Sequence, residues 1–179
     1  MSISSIVKVS VAVCIYAAAF SSFSAEQAYG DWFVTYADDK SGDTITATFS
    51  DGTSTAFAIR CFAKDNRCLH LVRLGSLCED GSTYPVLINA PTGAAAVTGV
   101  CSINDGVPEM LLTPFDDVRS ALNGSGMLGV AVPMASGAFK AVRFSLKGSS
   151  QAIKAGEEML IRNPRSAVTD TKKRGMVTF

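Results

Sequence analysis

The chain has 179 residues, 16 basic and 16 acidic side chains, and no net formal charge. That length suits one domain of ordinary size, large enough to bury a core without the help of a metal. The balanced charge argues against a nucleic-acid binder, which carries a basic face or stripe, and gives no reason to expect electrostatic adsorption to a membrane.

The first 24 residues read as a secretory signal peptide. A short n-region ends at Lys8, residues 9–20 (VSVAVCIYAAAF) form an apolar run, and Ser21, Ser22, Phe23 and Ser24 lead to the polar Glu26 and Gln27. The run has 12 residues, short of the roughly 20 that a spanning helix needs. Cleavage after Ser24 places the small residues Ser22 and Ser24 where the peptidase reads. Cys14 follows Val13 instead of a small residue, so it reads as part of the discarded peptide and not as a lipidation site. The mature chain then divides into a domain over 25–155 and a tail over 156–179.

Within the domain, short apolar runs alternate with turn clusters. Residues 31–36 (DWFVTY) are a strand candidate, aromatic and β-branched. After a turn over 38–42, residues 44–50 alternate Ile45, Ala47 and Phe49 against Thr44, Thr46 and Thr48, the period of a half-buried strand. Asp51-Gly52 is a turn signal. Residues 56–62 and 68–74 follow as strands, then 84–89, where Pro85 indicates an edge strand or a strand start. Residues 95–103 and 109–112 continue the series.

The period then changes. Thr113 is placed to cap a helix with Pro114 in its first position, Asp116 and Asp117 in its first turn, and Gly124 at its end. Phe115, Val118 and Leu122 recur at helical spacing. Residues 127–134 and 139–146 read as a hairpin of two strands about Ser136-Gly137, and 149–154 as a short helix. From Gly156 the periodicity fades into a basic tail that reads as a mobile terminus, the alternative being contact with an anionic partner. Strand signals every 8–12 residues with one or two short helices predict a mainly β domain, an antiparallel β-sandwich or barrel-like core.

Removal of the first segment leaves Cys61, Cys68, Cys78 and Cys101. The gaps of six, nine and 22 residues lack the close pairs of a zinc ribbon, and an exported chain meets an oxidising compartment, so two disulfides are expected. Three connectivities are possible. Cys61 and Cys68 flank a polar turn, Lys64 to Arg67, that would bring them within bridging range, which leaves Cys78 with Cys101.

Chemistry is sparse. His70, the only histidine, lies in a strand candidate with no Gly-x-Ser-x-Gly elbow to serve, and reads as a satisfied or solvent-facing side chain. The acidic pairs at 38–39, 79–80, 116–117 and 157–158 are adjacent in sequence and not set across a cleft. The glycines near Gly124 lack a phosphate-loop ending, and the acidic loop over 38–43 lacks the spacing of a calcium loop. Trp32, the only tryptophan, is expected to anchor the core. No catalytic, cofactor-binding or metal-ligating residue is assigned.

Two segments carry a resemblance. The domain opens on Gly30-Asp31-Trp32 before a strand and closes on Ser145-Leu146-Lys147-Gly148 leading into an alanine-containing helix. Over residues 29–155 this resembles the invasion-associated locus B family of exported bacterial proteins. The chain departs from that family at residues 33–36, where the family often has a cysteine, and at Ser149, where it usually has a bulky aromatic. The run ending in Ile59-Arg60-Cys61 also resembles small envelope components associated with type VI secretion. The first resemblance implies a periplasmic or secreted bacterial protein that binds a protein or envelope-surface partner and is not an enzyme. The second implies a periplasmic accessory or immunity-type component of a secretion system. Neither implies a cofactor, and no catalytic residue carries over.

Overall fold

The computed structural model describes residues 27–36, 42–50, 55–75, 78–104, 106–134 and 137–162. The segment read as a signal peptide, most of the turn over 38–42, the Asp51-Gly52 turn and the basic tail beyond Arg162 lie outside the described residues.

Ten strands and two helices make up the domain. In chain order they are β1 (Gln27–Tyr29), β2 (Trp32–Tyr36), β3 (Thr44–Phe49), β4 (Ala56–Phe62), β5 (Arg67–Arg73), β6 (Thr83–Ala90), β7 (Gly93–Asn104), β8 (Val107–Thr113), α1 (Phe115–Ala121), β9 (Met127–Pro133), β10 (Phe139–Ser145) and α2 (Ser149–Arg162). The strands form one sheet in the order β1-β2-β3-β4-β5-β8-β7-β6-β9-β10, with every pairing antiparallel. The mainly β class expected from the strand spacing is present, as a single curled sheet that is not closed into a barrel.

Alternation along each strand decides what the curl encloses. Trp32 and Val34 of β2, Phe57 and Ile59 of β4, Val72 of β5, Val86 and Ile88 of β6, and Leu128 and Val130 of β9 are all buried on the inner face. The helices cover the interior. Val118, Ala121 and Leu122 bring α1 onto β5 to β8, and Ala152 and Ile153 bring α2 onto β2 to β4. Arg119 of α1 pairs with Glu157 of α2 at 2.9 Å, tying the two helices together.

Four local features add to, narrow or differ from the expectations. First, β1 was not anticipated: three residues are too few to show a period. Second, Thr113 does not cap α1. Pro114 holds the N-cap position with extended backbone and no side-chain cap, and the Thr113 hydroxyl donates to the Thr98 carbonyl. Third, of the two placements open to Pro85 the structure takes the strand start, since β6 is an interior strand and not an edge. The pairing of β6 with β9 begins only at Leu87, so the missing N–H costs no bond on that side. Fourth, α2 runs on through Gly156 to Arg162 instead of ending at Lys154. A Cβ at position 156 would strike the Thr46 hydroxyl and lie 3.5 Å from Val34, so this glycine marks close approach to the sheet and not a helix end.

Candidate functional site

The two segments that carry the family resemblance meet in space. The Trp32 indole N–H donates to the Ser145 carbonyl at 2.7 Å, and the Ser145 hydroxyl donates to the Asp31 carboxylate at 2.6 Å. The Asp31 backbone N–H donates to the Lys147 carbonyl at 3.0 Å, and the Lys147 N–H donates to the Ser145 oxygen at 3.2 Å. Two glycines permit this closeness. A Cβ on Gly30 would lie 2.6 Å from the Lys147 oxygen, and one on Gly148 would run into the Tyr29 carbonyl. Trp32 and Leu146 are each 1% exposed, so both motifs also contribute core side chains. Gly30, Asp31, Trp32, Ser145, Leu146, Lys147 and Gly148 thus form a clasp that joins the two ends of the curled sheet.

The cysteines pair as Cys61–Cys68, with Cα atoms 4.0 Å apart, and Cys78–Cys101, at 6.0 Å. The first links directly opposed residues of β4 and β5. The second ties the loop before β6 to β7.

His70 is neither solvent-facing nor satisfied. It points inward from β5, opposite Ile59 and Leu112, with no exposed surface. Its ring stacks on Phe115 at 4.2 Å and lies 6.2 Å from Phe57. Neither ring nitrogen has a hydrogen-bond partner among the described residues. Burial, helped by the Arg119 charge, lowers its pKa from 6.5 to about 3. A neutral ring packed this way fills volume. Among the described residues no cluster of three or more metal-ligating side chains occurs.

The sequence reading missed the outer face of the sheet. Strand residues that alternate with the core should there meet water, yet the face is apolar and concave. Register aligns Phe33, Ala47, Ala58, Leu71 and Leu111 in one row across β2, β3, β4, β5 and β8. The next row holds Phe49, Ala56 and Arg73, and the row on the other side Thr35, Ile45 and Arg60. Alanines at the centre and larger side chains around them make a trough of about 400 Å³. Phe33 and Phe49 stack at 5.3 Å along one wall. Ala47 and Ala56 are only 4% and 7% exposed despite facing outward.

The polar groups of the trough are ordered. Arg73 donates through Nε and Nη2, each at 3.2 Å, to one oxygen of Glu109, and Asn104 donates to the other oxygen. Arg60 pairs with Asp43 at 3.3 Å and lies over the Phe62 ring. In both pairs the guanidinium is the exposed half: 48% against 9% for Arg73 and Glu109, and 36% against 7% for Arg60 and Asp43. A larger hollow of about 670 Å³ lies between Leu69, Phe115 and Leu160, but it borders Ile161, almost at the end of the described chain.

Together these features define a small, disulfide-braced domain: one antiparallel sheet curled over two helices, clasped end to end, with an apolar trough on its outer face. The chain matches no family model and no curated protein. In fold it is similar to the crystal structure of invasion associated protein B from Bartonella henselae, at 16% identity and a TM-score of 0.55. The match covers 79% of this chain and 99% of that one. Among the described residues, no helix is long and apolar enough to cross a membrane.

Proposed function

We propose that the protein is exported to the bacterial cell envelope, periplasmic or secreted, and acts there by binding a partner and not by catalysis. The observation that carries the binding reading is the outer-face trough. A solvated sheet face is ordinarily polar. This one offers a continuous apolar surface rimmed by arginines, the composition of a recognition surface. Three further points support the reading. Two disulfides suit an oxidising compartment. The first 24 residues have the pattern of an export signal. The likeness to invasion associated protein B covers nearly all of that chain.

The seven motif residues enter this reading as architecture, since each is spent on the clasp or the core. His70 enters it as packing, with no acid or hydroxyl bonded to it among the described residues. The test is binding to washed envelope fractions by the wild type and by Ala58→Phe, which fills the trough from its floor. The account predicts that the wild type is retained and that the variant, with an unchanged melting temperature, is lost to the supernatant at least tenfold more. Equal retention of the two would place any binding elsewhere.

A further inference from the structure

We propose that the outer-face trough takes a single-chain alkyl carboxylate, its chain lying on the floor of Ala47, Ala56 and Ala58 against Phe33 and Phe49, and its carboxylate meeting Arg73. This rests on the reading of the trough as a binding surface and names its occupant.

The floor selects an alkyl chain. It is the face of a sheet whose N–H and C=O groups are spent in the β2–β3, β3–β4 and β4–β5 ladders. A peptide laid across it would find no backbone partners and would bury its own polar groups unpaired, at about 1–3 kcal/mol each. An alkyl chain buries no such groups. A second copy of the protein fits poorly, because a two-fold contact sets a concave surface against itself and leaves a void between alanine floors.

The rim selects the charge. Both ion pairs at the trough turn their acid inward and their guanidinium outward. Glu109 engages one edge of Arg73 through Nε and Nη2, which fixes the plane of the group and leaves Nη1 without a hydrogen-bond partner among the described residues. That planar array of donors suits carboxylate oxygens. Among the described residues a cationic head would meet two exposed guanidinium groups, while the carboxylate that lines the trough, Glu109, is largely buried and already engaged by Arg73 and Asn104. Arg73 lies directly across from Ala56, so a chain on the alanine floor carries its head to that donor.

The experiment is calorimetric titration of the full chain, with both disulfides formed, against octanoate, decanoate and dodecanoate below their micellar concentrations. Affinity is expected to rise roughly tenfold for every two methylenes. Dodecyltrimethylammonium is expected to bind at least tenfold more weakly than dodecanoate, and dodecyl phosphate no more tightly than dodecanoate. Ala58→Phe is expected to lose dodecanoate binding at least tenfold while its melting temperature holds; if that variant does not fold, Leu71→Gln serves in its place. Affinity independent of chain length, or a folded trough variant that binds like the wild type, overturns the assignment of the floor. Equal binding of the cationic amphiphile overturns the assignment of the head, and tighter binding of the phosphate overturns the choice of carboxylate. A chain that binds no alkyl carboxylate yet loses envelope retention on Ala58→Phe overturns the ligand and leaves the binding surface standing.

Discussion

His70 shows how one side chain can be neutral filler at pH 7 and a liability in acid. Its imidazole is enclosed by Phe57, Phe115, Ile59 and Leu112, with neither nitrogen bonded among the described residues. The folded pKa of about 3 is below the unfolded value of 6.5. Between those values the unfolded chain takes up a proton that the folded chain refuses. Stability is therefore full above pH 6.5 and falls as pH drops toward 3, by at most about 1.4 kcal/mol per unit from this group. His70→Leu removes that dependence. Urea midpoints at pH 7 and pH 4.5 should show the wild type losing more stability than the variant. Equal losses would mean that the ring is solvated or paired in solution. Sequence could not reveal this environment. Cys68-Leu69-His70-Leu71-Val72 is apolar on both faces apart from His70, so the sequence does not say which face turns inward, and the phase that puts His70 inside is set by its neighbours Ile59 and Leu112, which are distant in sequence.

At the level of elements, most strands were legible because turn chemistry and period agree. The residues proposed for the two hairpins around Cys61–Cys68 and Ser136–Gly137 pair as β4 with β5 and β9 with β10. The end of α2 was not legible, because a glycine that ends a helix and one that lets a helix lie close on a sheet look alike in sequence. The clasp was half legible. Its two motifs were visible as a resemblance, but their contact across 113 residues of sequence was not. Gly148 carries the tightest approach, with a φ of 91° and the Tyr29 carbonyl where a Cβ would go. Gly148→Ala should cost roughly 2–4 kcal/mol through strain and displacement. Gly81→Ala is the control: its φ is 75°, but nothing lies within 4 Å of the added carbon, so only backbone strain remains, about 1–2 kcal/mol. Denaturation midpoints should separate the two. Equal costs would show that the clasp closes loosely.

Across the whole molecule, the alternation of the strands was foreseeable but the phase that faces inward was not always so: in β3 the threonines Thr44, Thr46 and Thr48 are buried and Phe49 lies exposed, and the outer face was not foreseeable at all. Period-2 alternation states that a strand has two faces. It does not state that small residues of β3 and β4 fall side by side, which takes the register Ala47 with Ala58 and Phe49 with Ala56. The proposed binding surface therefore emerges only on folding, while the motifs readable in the sequence hold the scaffold shut. The scaffold and its compartment stand or fall together, since the Cys61–Cys68 and Cys78–Cys101 bridges need oxidising surroundings. The most direct measurement is non-reducing peptide mapping of the native protein isolated from its own cells. The account predicts a chain that begins after Ser24 and yields peptides linked 61 to 68 and 78 to 101. A chain that retains its first 24 residues and carries four free thiols would contradict it.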